Sequence, residues 1–472
     1  MGIHNFHKWI KQNSSCVELI KNPIEAEHVY IDINFCLHNV VYNTKNTDIL
    51  LKKLSTFIEN MLKNIIPVKS ITLATDGPAP YAKLMLQRLR RQNIARSLDK
   101  DISSNEVNPI CFTPGTKFML DFNQNIVDII NKLKVKYDVT IHELLEGPNE
   151  AELKIINQLI KNNIKYPLDE HIIISNDADI CIMSSILDCY DKINIAVKSK
   201  GLMECFNIKK FTNIINANNI NKKNVDLSFI FLLMGNDYLP KLSYISFDNL
   251  LKSYNAAYKK NKKNLINHDL TINIIFFKDL MLFLNFNFKN KGWLNIFSIM
   301  DFNTNLYENY IEGLLWCIDC YKNGVCNKYD YMYEFNESPH PIGVYYYLMF
   351  NGTIKIPTPN PEPIPDYIYA LIVLPKKAKN LIDPKYHDIM EHNLSYLYEE
   401  ETCQFCAKMY NDLSDLNKTI KYMITVEQNP EKIQEQITAI SKNLAIHKST
   451  HKNITFKDIK NTINLLIKNN IK

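Results

Sequence analysis

The chain predicts an α/β fold: a central, mostly parallel twisted sheet flanked by helices, with a mainly helical C-terminal region. Three observations carry this. Over residues 1–250, short strand-like runs alternate with longer runs of helical spacing, the signature of strand–helix–strand units. The strand-like runs, such as VYIDIN (29–34) and IIISNDADI (172–180), are apolar and β-branched and read as buried strands. Most of the notable carboxylates directly follow such runs, and a parallel sheet places its functional groups at the carboxyl ends of its strands.

Taken in order, strands are expected at 28–33, 70–75, 138–142, 171–175 and 193–198. Helices are expected at 48–64, 79–97, 116–134, 149–162 and 225–234. TPGT (113–116) reads as a turn into a helix, with Thr116 as its N-cap. Residues 255–300 are less patterned and read as a connection, whereas 304–335 is again helical and aromatic. The prolines of IKIPTPNPEPIPD (354–366) force an extended crossing and mark a boundary. Beyond 425 come Lys/Gln/Asn-rich helices, and no internal repeat is visible. The expected division is a core at 1–250, a connecting segment at 251–303, a second region at 304–425 and a helical tail at 426–472.

A length of 472 residues suits two or three domains, and 46% hydrophobic residues with 11% aromatics suffice for globular folding. A net charge of +5 excludes a generic polycation, so any basic surface must be local. No apolar run approaches the roughly 18–20 residues that cross a bilayer. The start, MGIHNFHKWIKQ, is polar and amphipathic rather than a signal peptide, and it lacks the myristoylation pattern. The expectation is a soluble, cytoplasmic monomer. The Asn, Ile and Lys bias fits an AT-rich genome, viral or protist.

The 11 cysteines are scattered and read as reduced, buried thiols. Two CxxC pairs occur, Cys317/Cys320 and Cys403/Cys406; a zinc ribbon built from both is conceivable, but the usual spacing between such pairs is far shorter, which favours the plain reading. Cys317 and Cys320 share one face of a helix, so a packing role is expected.

Seven carboxylates carry the chemistry: Asp32, Asp76, Glu150, Glu152, Asp177, Asp179 and Asp237. Gathered from distant parts of the chain, they would repel one another unless cations lay between them. Two-metal phosphodiester hydrolysis needs such a set, one ion activating water and the other stabilising the leaving oxygen. Glu150/Glu152 at a helix start and Asp177/Asp179 at a strand end can each direct one member at a metal and one at a second ion or its water. Taken singly, Asp177 could N-cap a helix and Glu150 or Glu152 could answer a helix dipole.

In YAKLMLQRLRRQNIAR (81–96), Lys83, Gln87, Arg90 and Arg91 share one helix face, with Arg88 and Arg96 beside it. Arginine forks match phosphate oxygens and lysine adds a point charge. Acidic partners at helical spacing are missing from this stretch, so the charge is expected to stay uncompensated.

The chain resembles the XRN family of 5′→3′ exoribonucleases, within the wider group that includes flap endonucleases. The phrases that carry the resemblance are MGIHNFHKWI, VYIDINFCLHN, ATDGPAPYAKLMLQRLRR, NPICFTPGTKFM, EGPNEAELKI, SNDADICIM and FLLMGNDYLP, in that order. It resumes at YIEGLLWCIDCYKNGV (310–325) and across 363–390. The resemblance implies a 5′-nuclease, PIN-like core, with 304–425 completing the wall of the active site. It assigns all seven carboxylates to a site for Mg2+ (Mn2+ as a substitute), two ions in all. It assigns Lys83, Gln87, Arg90 and Arg91 to a 5′-monophosphate pocket and His38 to stacking on the terminal base. Tyr329 or Tyr331 would stand opposite His38. Stacking of this kind contributes roughly 1–3 kcal/mol per base. Ala151 and Leu153 stand where the family has glycine and histidine. The implied activity is processive 5′→3′ degradation of single-stranded RNA with a 5′-monophosphate to nucleoside monophosphates. The alternatives are a structure-specific DNA flap nuclease and an inactive RNA-binding scaffold. Against the flap nuclease, no glycine follows Asp237 in YLPKLSYISFDNL. Against the scaffold, all seven carboxylates are present.

Overall fold

A computed structural model describes all residues except 1, 4, 14–15, 43, 45, 97–101, 103–106, 200, 217–223, 287–302, 352–353, 355, 426–428 and 469–472. The strands are β1 (Val17–Leu19), β2 (Ile24–Asp32), β3 (Ile65–Ala74), β4 (Thr140–Leu144), β5 (His171–Ile174), β6 (Ile193–Ser199) and β7 (Leu202–Asn207). They form one sheet in the order β1-β7-β6-β5-β2-β3-β4. The pairs from β6 to β4 are all parallel. β7 and β1 add an antiparallel edge.

The helices of the first half are α1 (Phe6–Asn13), α2 (Ile33–Val40), α3 (Thr47–Leu62), α4 (Tyr81–Arg96), α5 (Lys117–Leu120), α6 (Phe122–Tyr137), α7 (Ala151–Lys165), α8 (Asp179–Ile186), α9 (Ile208–Asn216) and α10 (Asn224–Leu232). Those of the second half are α11 (Phe247–Asn261), α12 (Ile274–Phe286), α13 (Thr304–Asn323), α14 (Pro341–Asn351), α15 (Asp366–Val373), α16 (Glu399–Thr402), α17 (Gln404–Thr425), α18 (Glu431–Lys448) and α19 (Phe456–Lys468).

Every residue of β5 is buried, as are Val29–Asp32 of β2, because helices flank the sheet. At the amino end of these strands a buried polar network replaces hydrocarbon. His28 hydrogen-bonds Ser70 at 2.7 Å and Asp169 at 3.1 Å, and Tyr30 bonds His171 at 3.0 Å. Burial holds His171 down at about 3, so it stays neutral there. Thr116 does cap α5, its hydroxyl accepting from the Met119 amide.

The chain divides into two compact units, differently from the four expected segments. One comprises residues 1–40, 51–83 and 124–364, the other 41–50, 84–123 and 365–472. The cut at Ile364/Pro365 lies within the proline cluster. The expected connection at 251–303 is not unpatterned where it is described. α11 and α12 place Tyr254, Ala257, Phe276, Phe277 and Leu280 in the main core of the first unit. Polar Lys/Asn flanks around Leu265 and Ile266 obscured that spacing in the sequence; residues 287–302 lie outside the described set. Cys317 and Cys320 are buried on α13, as expected.

Candidate active site

The strand register builds the site. β5, β2, β3 and β4 are neighbours, all parallel, with Ile31 opposite Ile174, Asp32 opposite Ala74 and Ala74 opposite Leu144. Their carboxyl ends therefore fall on one edge. Asp32 closes β2, Asp76 follows β3 by two residues, Glu150 and Glu152 follow β4, and Asp177 and Asp179 follow β5. Asp237 joins from the turn after α10.

Each carboxylate is held by its own local structure. Asp32 accepts from the Phe35 amide at 2.9 Å and the Ser175 hydroxyl at 3.1 Å. Asp76 accepts from the Ala151 amide at 3.0 Å, while its own amide donates to Asn34 at 3.0 Å. The Asp76 and Glu150 loops lie against each other. Gly77 donates to the Asn149 carbonyl at 2.8 Å, and a Cβ on Gly77 would meet the Gly147 carbonyl oxygen at 2.0 Å. Asp177 Oδ1 accepts from the Asp179 amide at 2.8 Å, so the helix-capping role open to it from sequence is partly real. Glu150 makes no cap bond at the start of α7. In the last turn, Asn236 Oδ1 accepts from Tyr238 and Leu239, and Gly235 adopts φ +80° where a Cβ would strike the Lys241 backbone.

All seven groups interact electrostatically. Burial, then Asp76, pushes the Asp32 carboxyl up to about 7. Burial, then Asp177, Asp76 and Asp32, holds Glu152 well above the usual carboxylate range. Burial, then Asp177 and Asp237, does the same to Asp179. Glu150 is raised by burial, opposed by Lys83. Among these groups sits a cation, Lys83. Lys83 Nζ lies 2.5 Å from Glu150 Oε1 and 3.0 Å from Asp237 Oδ2. Burial works against its ammonium, but Glu150, Asp237, Glu152 and Asp177 hold its pKa well above the lysine range.

The site suits hard divalent cations. Its donors are carboxylate oxygens, the ligands such ions select. Asp179 Oδ1 is buried without a hydrogen-bond partner. Gly2, at φ +74°, covers this point; a Cβ there would come within 2.6 Å of Asp179 Oδ1 and 2.8 Å of Asp177 Oδ1.

Sequence reasoning missed several supports. Tyr238 donates to Glu150 Oε2 at 2.6 Å and packs edge-on against Trp316 at 5.1 Å. Asn236 donates to Tyr321 at 3.1 Å, and the Tyr321 hydroxyl in turn faces Asp179. Asn34, Ser175 and the α13 aromatics Trp316 and Tyr321 all stood inside the quoted motifs, but nothing in their local spacing tied them to the carboxylates.

Two expectations are corrected. Tyr329 and Tyr331 are buried and engaged: Tyr329 donates to Asn149 at 2.5 Å, and Tyr331 stacks on Trp316 at 4.8 Å. Neither presents a face to a base. His38, on α2, is exposed. The charge of α4 is also partly compensated, by residues remote in sequence. Within the second unit Arg88 donates to the Ile372 and Leu397 carbonyls and pairs with Glu401, and Arg96 pairs with Glu400 at 2.7 Å. Arg91 donates to Thr113 at 2.8 Å and to Gln87.

Residues 1–196 match the family model described as XRN 5′-3′ exonuclease N-terminus. Over this N-terminal region the chain is similar to the XRN family. The chain is 29% identical over 214 residues to 5′-3′ exoribonuclease 1 of Schizosaccharomyces pombe, covering 39% of this chain and 16% of that protein. It is 30% identical over 217 residues to 5′-3′ exoribonuclease 1 of Saccharomyces cerevisiae, covering 39% and 14%. The chain thus spans under a fifth of these XRN relatives. A solved catalytic core of Rad2 in complex with DNA substrate aligns at 15% identity and TM-score 0.35, covering 68% of this chain and 86% of that one.

Proposed function

We propose that this chain is a divalent-cation-dependent, processive 5′→3′ exoribonuclease. Its substrate is single-stranded RNA with a 5′-monophosphate, and its products are nucleoside monophosphates. One observation carries the reading: the register that brings the ends of four parallel strands, and with them six carboxylates, to one edge beside Asp237. Asp32, Asp76, Glu150, Glu152, Asp177, Asp179 and Asp237 would hold a pair of Mg2+ or Mn2+ ions. Bound there, the ions would supply an activated water and charge neutralisation at the leaving oxygen.

The remaining roles belong to the chain itself. Lys83 has three N–H donors; it hydrogen-bonds Glu150 and faces Asp237 as an ion pair, which leaves a donor for a phosphate oxygen at the margin of the cluster. Gln87, Arg90 and Arg91 continue the helix and select a terminal monophosphate, rejecting a cap or triphosphate by size and unpaired charge. His38 stacks on the first base. Glu150 positions Lys83 and Tyr238 with its two oxygens. One nucleotide leaves per cycle because the 5′ end must reseat before the next linkage reaches the carboxylates.

Product analysis with 5′-phosphorylated, 5′-hydroxyl and 5′-triphosphorylated RNA tests this. Mononucleotides are expected from the monophosphate alone. Equal loss of monophosphorylated and triphosphorylated RNA would overturn the pocket. Preferential cutting of double-stranded flap DNA would make the protein a flap nuclease. RNA binding with no nucleotide release in Mg2+ or Mn2+ would make it a scaffold.

A further inference from the structure

In the second unit, two short motifs far apart in sequence meet. Cys403 and Cys406 form a C-x2-C pair at the start of α17, and His447 and His451 form an H-x3-H pair at the end of α18. Forty residues separate the pairs, and the described helices among them, α17 and α18, pack against each other as two arms. Cys403 Sγ lies 3.2 Å from His447 Nε2, and Cys406 Sγ lies 3.4 Å from His451 Nε2. One ligand atom from each of the four residues lies within 4.8 Å of all the others. Around a tetrahedral zinc, with Zn–S near 2.3 Å and Zn–N near 2.0–2.1 Å, neighbouring ligand atoms stand roughly 3.3–3.8 Å apart. The geometry points to a structural zinc site built from Cys403, Cys406, His447 and His451, closing the α17–α18 hairpin.

Three further features support the assignment. Two thiolates and two imidazoles are the donors that select zinc over the hard cations a carboxylate cluster takes. Four protein ligands complete a tetrahedron, so the site has no open position for water or substrate, which makes it structural rather than catalytic. The hairpin also lacks a core of its own. Among the described residues, α18 buries only Leu444 and α17 buries only Cys406. A pair of helices with so little apolar contact needs a staple. The surroundings already hold the ligands in place. The Phe405 ring packs on His447 with centroids 4.2 Å apart. Glu400, just before the cysteines, pairs with Lys448, next to His447, at 3.0 Å. Glu399 accepts from the Lys452 amide at 3.1 Å, tying the segment after His451 to α16. The cysteines were expected to be plain buried thiols; Cys403/Cys406 departs from that because its partners lie a whole hairpin away.

The test is metal analysis of the full chain purified without chelator. One zinc per chain is expected, released when a mercurial caps the thiols. The Asp177→Ala, Asp179→Ala double variant should keep that zinc, and the Cys403→Ser, Cys406→Ser double variant should lose it. Should the cysteine variant fail to fold, cobalt substitution of the unmodified chain decides instead: tetrahedral d–d bands with a thiolate charge-transfer band are expected. Limited proteolysis should then cut within 404–455 only after metal removal. A chain that carries no zinc and gives no tetrahedral cobalt spectrum would overturn the site. So would full zinc content in the cysteine variant, or stoichiometric iron in place of zinc.

Discussion

The carboxylate cluster of the first unit and the cysteine–histidine cluster of the second gather ligands in opposite ways. In the first, like charges resist assembly: burial and mutual repulsion push Asp32 up to about 7 and hold Glu152 and Asp179 far above the ordinary range. Such groups stay together only because four strands in register fix where they emerge. In the second, thiols and imidazoles already touch, and two short motifs on a hairpin suffice. A repelling cluster on a rigid sheet suits ions that exchange and substrate that leaves. A complete set of four soft ligands suits an ion that stays.

The comparison breaks most visibly at Asp179. Asp179→Ala should lower mononucleotide release about 10³-fold or more, while zinc content and RNA binding persist. Single-turnover release and filter binding measure both. Gly2→Ala should follow, with release falling about tenfold or more because the new Cβ enters the space beside Asp179 and Asp177. Its melting temperature should fall by only the few degrees that an alanine at φ +74° costs, which separates a blocked site from a damaged fold. Arg90→Ala should narrow the preference for monophosphate over triphosphate about tenfold, the worth of one charge-assisted hydrogen bond; competition between the two RNAs reads this.

The cluster's cost should also appear in stability. Asp32, Glu152 and Asp179 bind more protons in the folded, metal-free protein than in the unfolded chain between about pH 4 and pH 7, whereas the buried His28 and His171 bind fewer. The cluster's own contribution therefore falls as pH rises through that window: the melting temperature of Asp32→Asn, relative to the unmodified metal-free protein, should rise from pH 4 to pH 7, and added Mg2+ should shrink the difference. A difference that stays flat or reverses across that window would contradict the repulsion. The smallest effect belongs to Tyr329→Phe, which should cost about 1 kcal/mol of stability through the lost bond to Asn149, with RNA affinity unchanged. A loss of affinity at unchanged stability would restore the stacking role expected from sequence.

Much of the first unit was legible in the sequence. Apolar β-branched runs revealed β2, β3, β5 and β6, because strands covered on both faces cannot alternate, and they revealed the edge strand β4 although none of its residues is buried. Most of the carboxylates were visible because they follow such a run; Asp237 instead follows the apolar helix α10. The β1–β7 edge escaped notice: VEL and LMECFN are short and only partly buried. The partners of α4 escaped for a different reason. Arg88 and Arg96 looked uncompensated because Glu400 and Glu401 are remote in the chain, and helical spacing reports only local neighbours. The same limit hid His447 and His451 from the cysteines they meet, and the α13 aromatics from Asp179.

The most direct measurement is mononucleotide release from 5′-monophosphorylated RNA as free Mg2+ or Mn2+ is varied, with the unmodified chain and Asp32→Asn side by side. The expected result is no release without added divalent ion, saturable release on addition, and none at any ion concentration from Asp32→Asn. Release at the unmodified rate by Asp32→Asn, or by the unmodified chain without divalent ions, would contradict the account.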